Sequence, residues 1–122
     1  VSANERSFRV LVRNALFRRV ELAARRRYDE LGELDAEAGM DAEAWREAVE
    51  AYFKEHDEID IGPDARGPHM LVVEKEGRTW RAQQIIGDPE GDHDWRIFAE
   101  VDLDASDEAG ELVMRVEAFG SL

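Results

Sequence analysis

Apolar positions along this chain follow two periods. In the first part, Phe8, Leu11, Val12, Ala15, Leu16, Leu22 and Ala23 gather on one face when each residue is turned by about 100°. The pattern predicts a helix from about residue 5 to 31, capped by Asn4 or Ser2 and stopped at Gly32. Glu33–Met40 reads as an acidic connector. Asp41 then caps a second helix over about 42–55, with Ala42, Trp45, Ala48, Val49 and Tyr52 as its stripe and His56-Asp57-Glu58 closing it. Asp60–Pro68, with two prolines and two glycines, is a loop, and Ile59 and Ile61 offer a very short strand beside it.

From Met70 the period shortens to two. Met70–Lys75 and Arg78–Ile86 are strand-like runs around a Glu76-Gly77 turn, the second with Trp80, Ala82, Gln84 and Ile86 on one face. After an acidic, glycine-containing turn at Asp88–Asp92, the run Asp94–Leu103 alternates with Trp95, Ile97, Ala99, Val101 and Leu103 inward. Asp104–Gly110 turns the chain again, and Leu112, Met114, Val116 and Ala118 line a last strand. Helices followed by a meander give an α+β domain: a long N-terminal helix and a second helix packed on a four-stranded antiparallel meander. The expected shape is a curved sheet wrapped on the long helix with the second helix closing one end. A cystatin-like or nuclear-transport-factor-like cone meets that description.

Composition narrows the class. The 122 residues make one domain, 1–122, that is 43% hydrophobic and 37% charged, a balance of folded proteins. No apolar run approaches the roughly 18 residues of a membrane span, so no membrane partner is expected and a cytoplasmic home is the simplest one. The absence of cysteine excludes disulfides, thiolate catalysis and cysteine-ligated zinc. A start at Val1, without an initiator methionine, reads as a fragment cut from a larger protein.

Charge divides the chain. Residues 1–32 carry eight arginines against four acids, whereas residues 33–122 carry eight basic residues against 25 acids. A net charge of −13 opposes broad affinity for nucleic acid, so any such contact belongs to the arginine helix. Arg6, Arg9 and Arg13 share a face that Arg27 continues. It suits a solvated stripe, an RNA backbone or an acidic surface on a neighbouring domain. On one continuous helix Arg19 and Arg26 fall within about 20° of each other, on the apolar side. Such arginines need partners. Strand carboxylates such as Glu100, Glu74 or Glu117 would serve, or an anionic ligand in a pocket walled by Tyr28, Trp80 and Trp95, with His93 as a base.

Other chemistry is thin. Asp92, His93 and Asp94 have metal-ligand chemistry, but neighbours on an extended strand point to opposite faces, and the segment reads as an acidic turn. Neither a metal nor a cofactor is expected. A calcium loop starting at Asp102 fails, with Asp107 where glycine is needed and Val113 where glutamate is needed. His56 and His69 have no partner visible in the sequence. There is no nucleophile elbow and no glycine-rich phosphate loop, so no catalytic residue is assigned.

Five blocks together resemble a known family: Asn4–Glu21, Gly62–Pro68, Trp80–Ile85, Asp88–Trp95 and Val101–Gly110. They are similar to the extreme C-terminus of a group of actinobacterial DEAD/DEAH-box helicases, which carry a region of unknown function after their two motor domains. The resemblance implies a non-catalytic accessory domain of an ATP-dependent RNA helicase. In such a protein ATP binding and hydrolysis belong to the motor domains, whose motifs are absent here. Its partners would be the rest of the parent helicase and RNA, met through Arg6, Arg9, Arg13 and Arg27. The alternatives are a small anionic-ligand pocket or minor enzyme built on Arg19 and Arg26, and a protein-interaction module using the acidic outer face of the sheet.

Overall fold

A computed structural model describes residues 1–122. Helix α1 spans Glu5–Ala24, α2 Tyr28–Asp35 and α3 Ala42–Phe53. Strands β1 (Leu71–Glu76), β2 (Thr79–Ile85) and β3 (Trp95–Asp102) follow, then a short helix α4 (Leu103–Ala109) and strand β4 (Met114–Ser121). The strands pair antiparallel in the order β1-β2-β3-β4, an open meander. The architecture is α+β, as the two periods require.

The caps work as the sequence indicates. Asn4 accepts the Ser7 N–H at 3.0 Å and Asp41 accepts that of Ala44 at 2.8 Å, each satisfying an amide that the helix start leaves free. The first helix, however, is two helices. Arg26 adopts φ 53°, and the amides of Arg26 and Arg27 bond back to the carbonyls of Ala23 and Leu22. That is the Schellman closure, made with arginine where glycine is usual. The Arg26 guanidinium lies 3.7 Å from the centre of the Phe53 ring and bonds Glu50, so contacts to α3 hold the strained residue in place. The expected stop, Gly32, lies buried inside α2.

The inward faces of β2 and β3 are as expected: Trp80, Ala82, Gln84 and Ile86 are buried, as are Trp95, Ile97, Ala99, Val101 and Leu103. Both long helices cover this face. Phe8 of α1 meets Trp80 edge to face at 5.1 Å, while Trp45 and Tyr52 of α3 pack on Phe119 and Trp95. The second long helix therefore shares the sheet instead of closing its end.

Two further departures occur near the C-terminus. Ala99 pairs with Val116 and Phe98 with Ala118, which leaves Glu117 as the extra residue of a bulge. The inward position consequently moves from Ala118 to Phe119, which is buried. The expected turn at Asp104–Gly110 is α4, capped by the Asp102 side chain on the Ala105 amide and ended by Gly110 at φ 73°. Asp60 and Gly87 form a single bridge where a short strand was expected at Ile59 and Ile61.

Candidate functional site

Arg19 does not face a cavity. It is buried between α1 and α2, where Nε and a terminal nitrogen bond the two oxygens of Asp35 at 3.1 and 2.7 Å. The other terminal nitrogen bonds the Ala15 carbonyl, and Trp45 Nε1 donates to Asp35 from α3 at 3.2 Å. The partner is thus neither a strand carboxylate nor a ligand, but an acid on α2 itself. Asp35 gathers α1, α2 and α3 around one carboxylate.

Because the helix breaks at Arg25–Arg27, Arg26 leaves the face of Arg19. It is exposed and pairs with Glu50 at 3.1 Å. Arg27 pairs with Glu30 at 3.2 Å. With Arg46, Tyr28 and Asp29 these side chains line an open depression of about 610 Å³ at the elbow between α1 and α2. Burial and a hydrogen bond to Glu50 push the Tyr28 hydroxyl pKa well up, and the same bond holds Glu50 below the ordinary carboxylate range. Trp80 and Trp95 lie in the core, and His93 is exposed. The residues expected to wall an anion pocket are therefore dispersed. Arginine and acid alternate in the depression that does exist.

The remaining arginines of the first helix behave differently. Arg6, Arg9, Arg13, Arg18 and Arg25 make no ion pair, whereas Arg19, Arg26 and Arg27 each do. Arg6, Arg9 and Arg13 fall within about 60° on α1 by helical geometry. Arg9 donates to the Leu71 carbonyl at 3.0 Å, so this flank runs beside the free edge strand β1. Arg66, from the loop before β1, extends the flank: it approaches Asn14 and lies 4.7 Å from the Phe17 ring centre. The sequence did not mark Arg66, which is 52 positions from its α1 contact. The result is a basic flank on an acidic protein.

The outer face of the sheet is mixed in sign. Arg81 reaches Glu76, Glu100 and Glu117, and Arg115 reaches Glu100 and Glu117. This lattice is exposed and contributes little per pair.

The acidic turn before β3 has an organising residue. Asp88 is buried, and its two oxygens accept the amides of Asp92 and His93 at 2.9 and 2.8 Å. Those amides hold its carboxyl below the ordinary range although burial works against them. The loop closes on His56, just beyond α3, whose Nδ1 bonds Glu90 and whose ring packs on Tyr52 at 5.0 Å. That hydrogen bond, helped by the charges of Asp88, Glu90 and Asp94, raises the His56 pKa against the effect of burial. His56 and Glu90 are 34 positions apart, so the sequence singled out the loop but attached the wrong histidine.

No helix is long and apolar enough to cross a membrane. Searches of curated proteins and of solved structures return no match. A family model described as a domain of unknown function matches residues 1–119. With nearly its whole length covered, the chain belongs to that family, DUF3516.

Proposed function

We propose that this domain is a non-catalytic accessory domain of an ATP-dependent RNA helicase, and that its arginine flank guides RNA past the motor domains or docks the domain on them. One observation carries the reading. Arg6, Arg9 and Arg13 share one flank of α1 without carboxylate partners on a chain with 29 acids, whereas Arg19, Arg26 and Arg27 are each paired. Guanidinium groups in that state bind phosphate or carboxylate by paired hydrogen bonds. The strong negative charge elsewhere confines anion binding to this flank and keeps non-specific binding low. The helicase context rests on the resemblance of the five sequence blocks.

Salt-dependent binding to single-stranded RNA tests the flank directly. Affinity is expected to fall with salt at a log–log slope of about −0.7 for each phosphate contact. Arg6→Glu, Arg13→Glu and Arg66→Glu together, all on the flank, are expected to flatten that slope by about 2 while leaving the circular dichroism spectrum unchanged. Arg9 is left in place because its bond to Leu71 belongs to the fold. An unchanged slope in the triple variant removes RNA guidance. Docking is then read in the intact helicase, where the same variant should lower RNA-stimulated ATPase activity. Unchanged ATPase activity removes docking as well.

A further inference from the structure

Glu90 satisfies only one side of the His56 ring. His56 is 5% exposed, and its Nε2 is buried without a hydrogen bond. Nε2 faces Asp94, whose Oδ1 lies 3.7 Å away, is also buried and also makes no hydrogen bond. Two polar atoms that have lost water without gaining a hydrogen bond are costly in a folded protein, and here they face one another just outside hydrogen-bonding reach. Glu55, next in the chain to His56, adds a third donor: one ligand atom from each of Glu55, His56 and Asp94 lies within 4.8 Å of the others. Donors that share a zinc ion at about 2.0–2.2 Å each sit roughly 3–4 Å apart, which matches the spacing of Nε2 and Asp94.

We infer that Glu55, His56 Nε2 and Asp94 bind a divalent transition-metal ion of the zinc class, clamping the end of α3 to the loop that precedes β3. A second grouping, His56 with Asp88 and Asp92, has similar spacing but is already spent. Nδ1 is taken by Glu90, and both Asp88 oxygens hold backbone amides. Glu90 instead supports the ligand. By accepting the Nδ1 proton it fixes the tautomer that leaves a lone pair on Nε2, the arrangement in which a carboxylate orients a metal-binding histidine. One imidazole with two carboxylates suits zinc and its neighbours better than calcium or magnesium, which favour all-oxygen sites. Three donors leave a coordination position for solvent. The site is separate from the arginine flank and does not depend on the helicase reading.

The test is metal titration of the chelator-stripped 122-residue chain with Zn²⁺, and with Co²⁺ as a spectroscopic probe. One saturable site is expected, with visible Co²⁺ absorption and a higher melting temperature in micromolar Zn²⁺. Asp94→Asn and Glu55→Gln lie at half-buried and exposed positions and should fold. Each is expected to weaken Zn²⁺ binding about tenfold or more, and Glu90→Gln by a comparable factor through ring orientation. Glu108→Gln, on α4, should change nothing. The absence of a saturable site overturns the proposal and leaves the cluster as an imidazolium held by carboxylates. Binding that is equally strong in Asp94→Asn and Glu55→Gln overturns it too, because the ion would then be attracted by general surface acidity.

Discussion

Asp35→Ala is expected to lower stability by about 3–5 kcal/mol, because it strands the Arg19 guanidinium in a buried place with one carbonyl for company. A domain of this size has about 5–15 kcal/mol in total, so the variant should melt on the order of 10–20 °C lower or fail to accumulate folded. Urea unfolding followed by tryptophan fluorescence measures the loss. Trp45 reports on the site itself, since its indole N–H donates to the same carboxylate.

Pairing the change with Arg19→Met separates charge from packing. The double variant removes the stranded cation and should recover stability relative to Asp35→Ala alone, because a buried ion pair contributes little against an apolar replacement. Recovery should be incomplete, with about 1–3 kcal/mol still missing for the Trp45 N–H that no longer has its acceptor. A double variant no more stable than Asp35→Ala would mean that the carboxylate matters for something other than Arg19. The pair also explains why an arginine on the apolar side of α1 needs no ligand.

The meander was legible because strand alternation is local: each inward residue of β2 and β3 announces itself by its neighbours two positions away. The bulge at Glu117 was not, since nothing in Val116-Glu117-Ala118-Phe119 distinguishes one inward residue from the next until Phe119 competes with Ala118 for the core. The break at Arg25–Arg27 hid for a related reason. Arginine is a good helix former, so Ala24-Arg25-Arg26-Arg27 reads as helix. The left-handed turn at Arg26 is held by Phe53 and Glu50, contacts that exist only after α3 has docked. Every inference that used one continuous helix failed with it, the shared face of Arg19 and Arg26 first. Arg27 leaves the face of Arg6, Arg9 and Arg13 for the same reason and pairs with Glu30, whereas those three keep a common face because all precede the break. The His56 cluster needed two segments brought together by the fold, and the sequence supplied each half without the link.

Gly32→Ala gives the opposite sign from the one helix propensity suggests. In an exposed helix the change would stabilise by about 1 kcal/mol, since alanine is the better helix former. Here α2 and α3 touch through the glycine. A Cβ at position 32 would stand 2.6 Å from the Ala42 nitrogen and 2.9 Å from its Cα, both backbone atoms at the start of α3. The helices must part to admit it, and Asp35, one turn further along α2, would be pulled from Arg19 and Trp45. A loss of about 2–3 kcal/mol is expected, at the upper end of what an added methyl group costs in a packed core. Adding Ala42→Gly should not restore the loss, because the closest contacts are with backbone that the second change leaves in place. Rescue by Ala42→Gly, or a gain in stability from Gly32→Ala alone, would show that the two helices do not meet this closely and that Gly32 is a weak point of α2 instead of its contact surface.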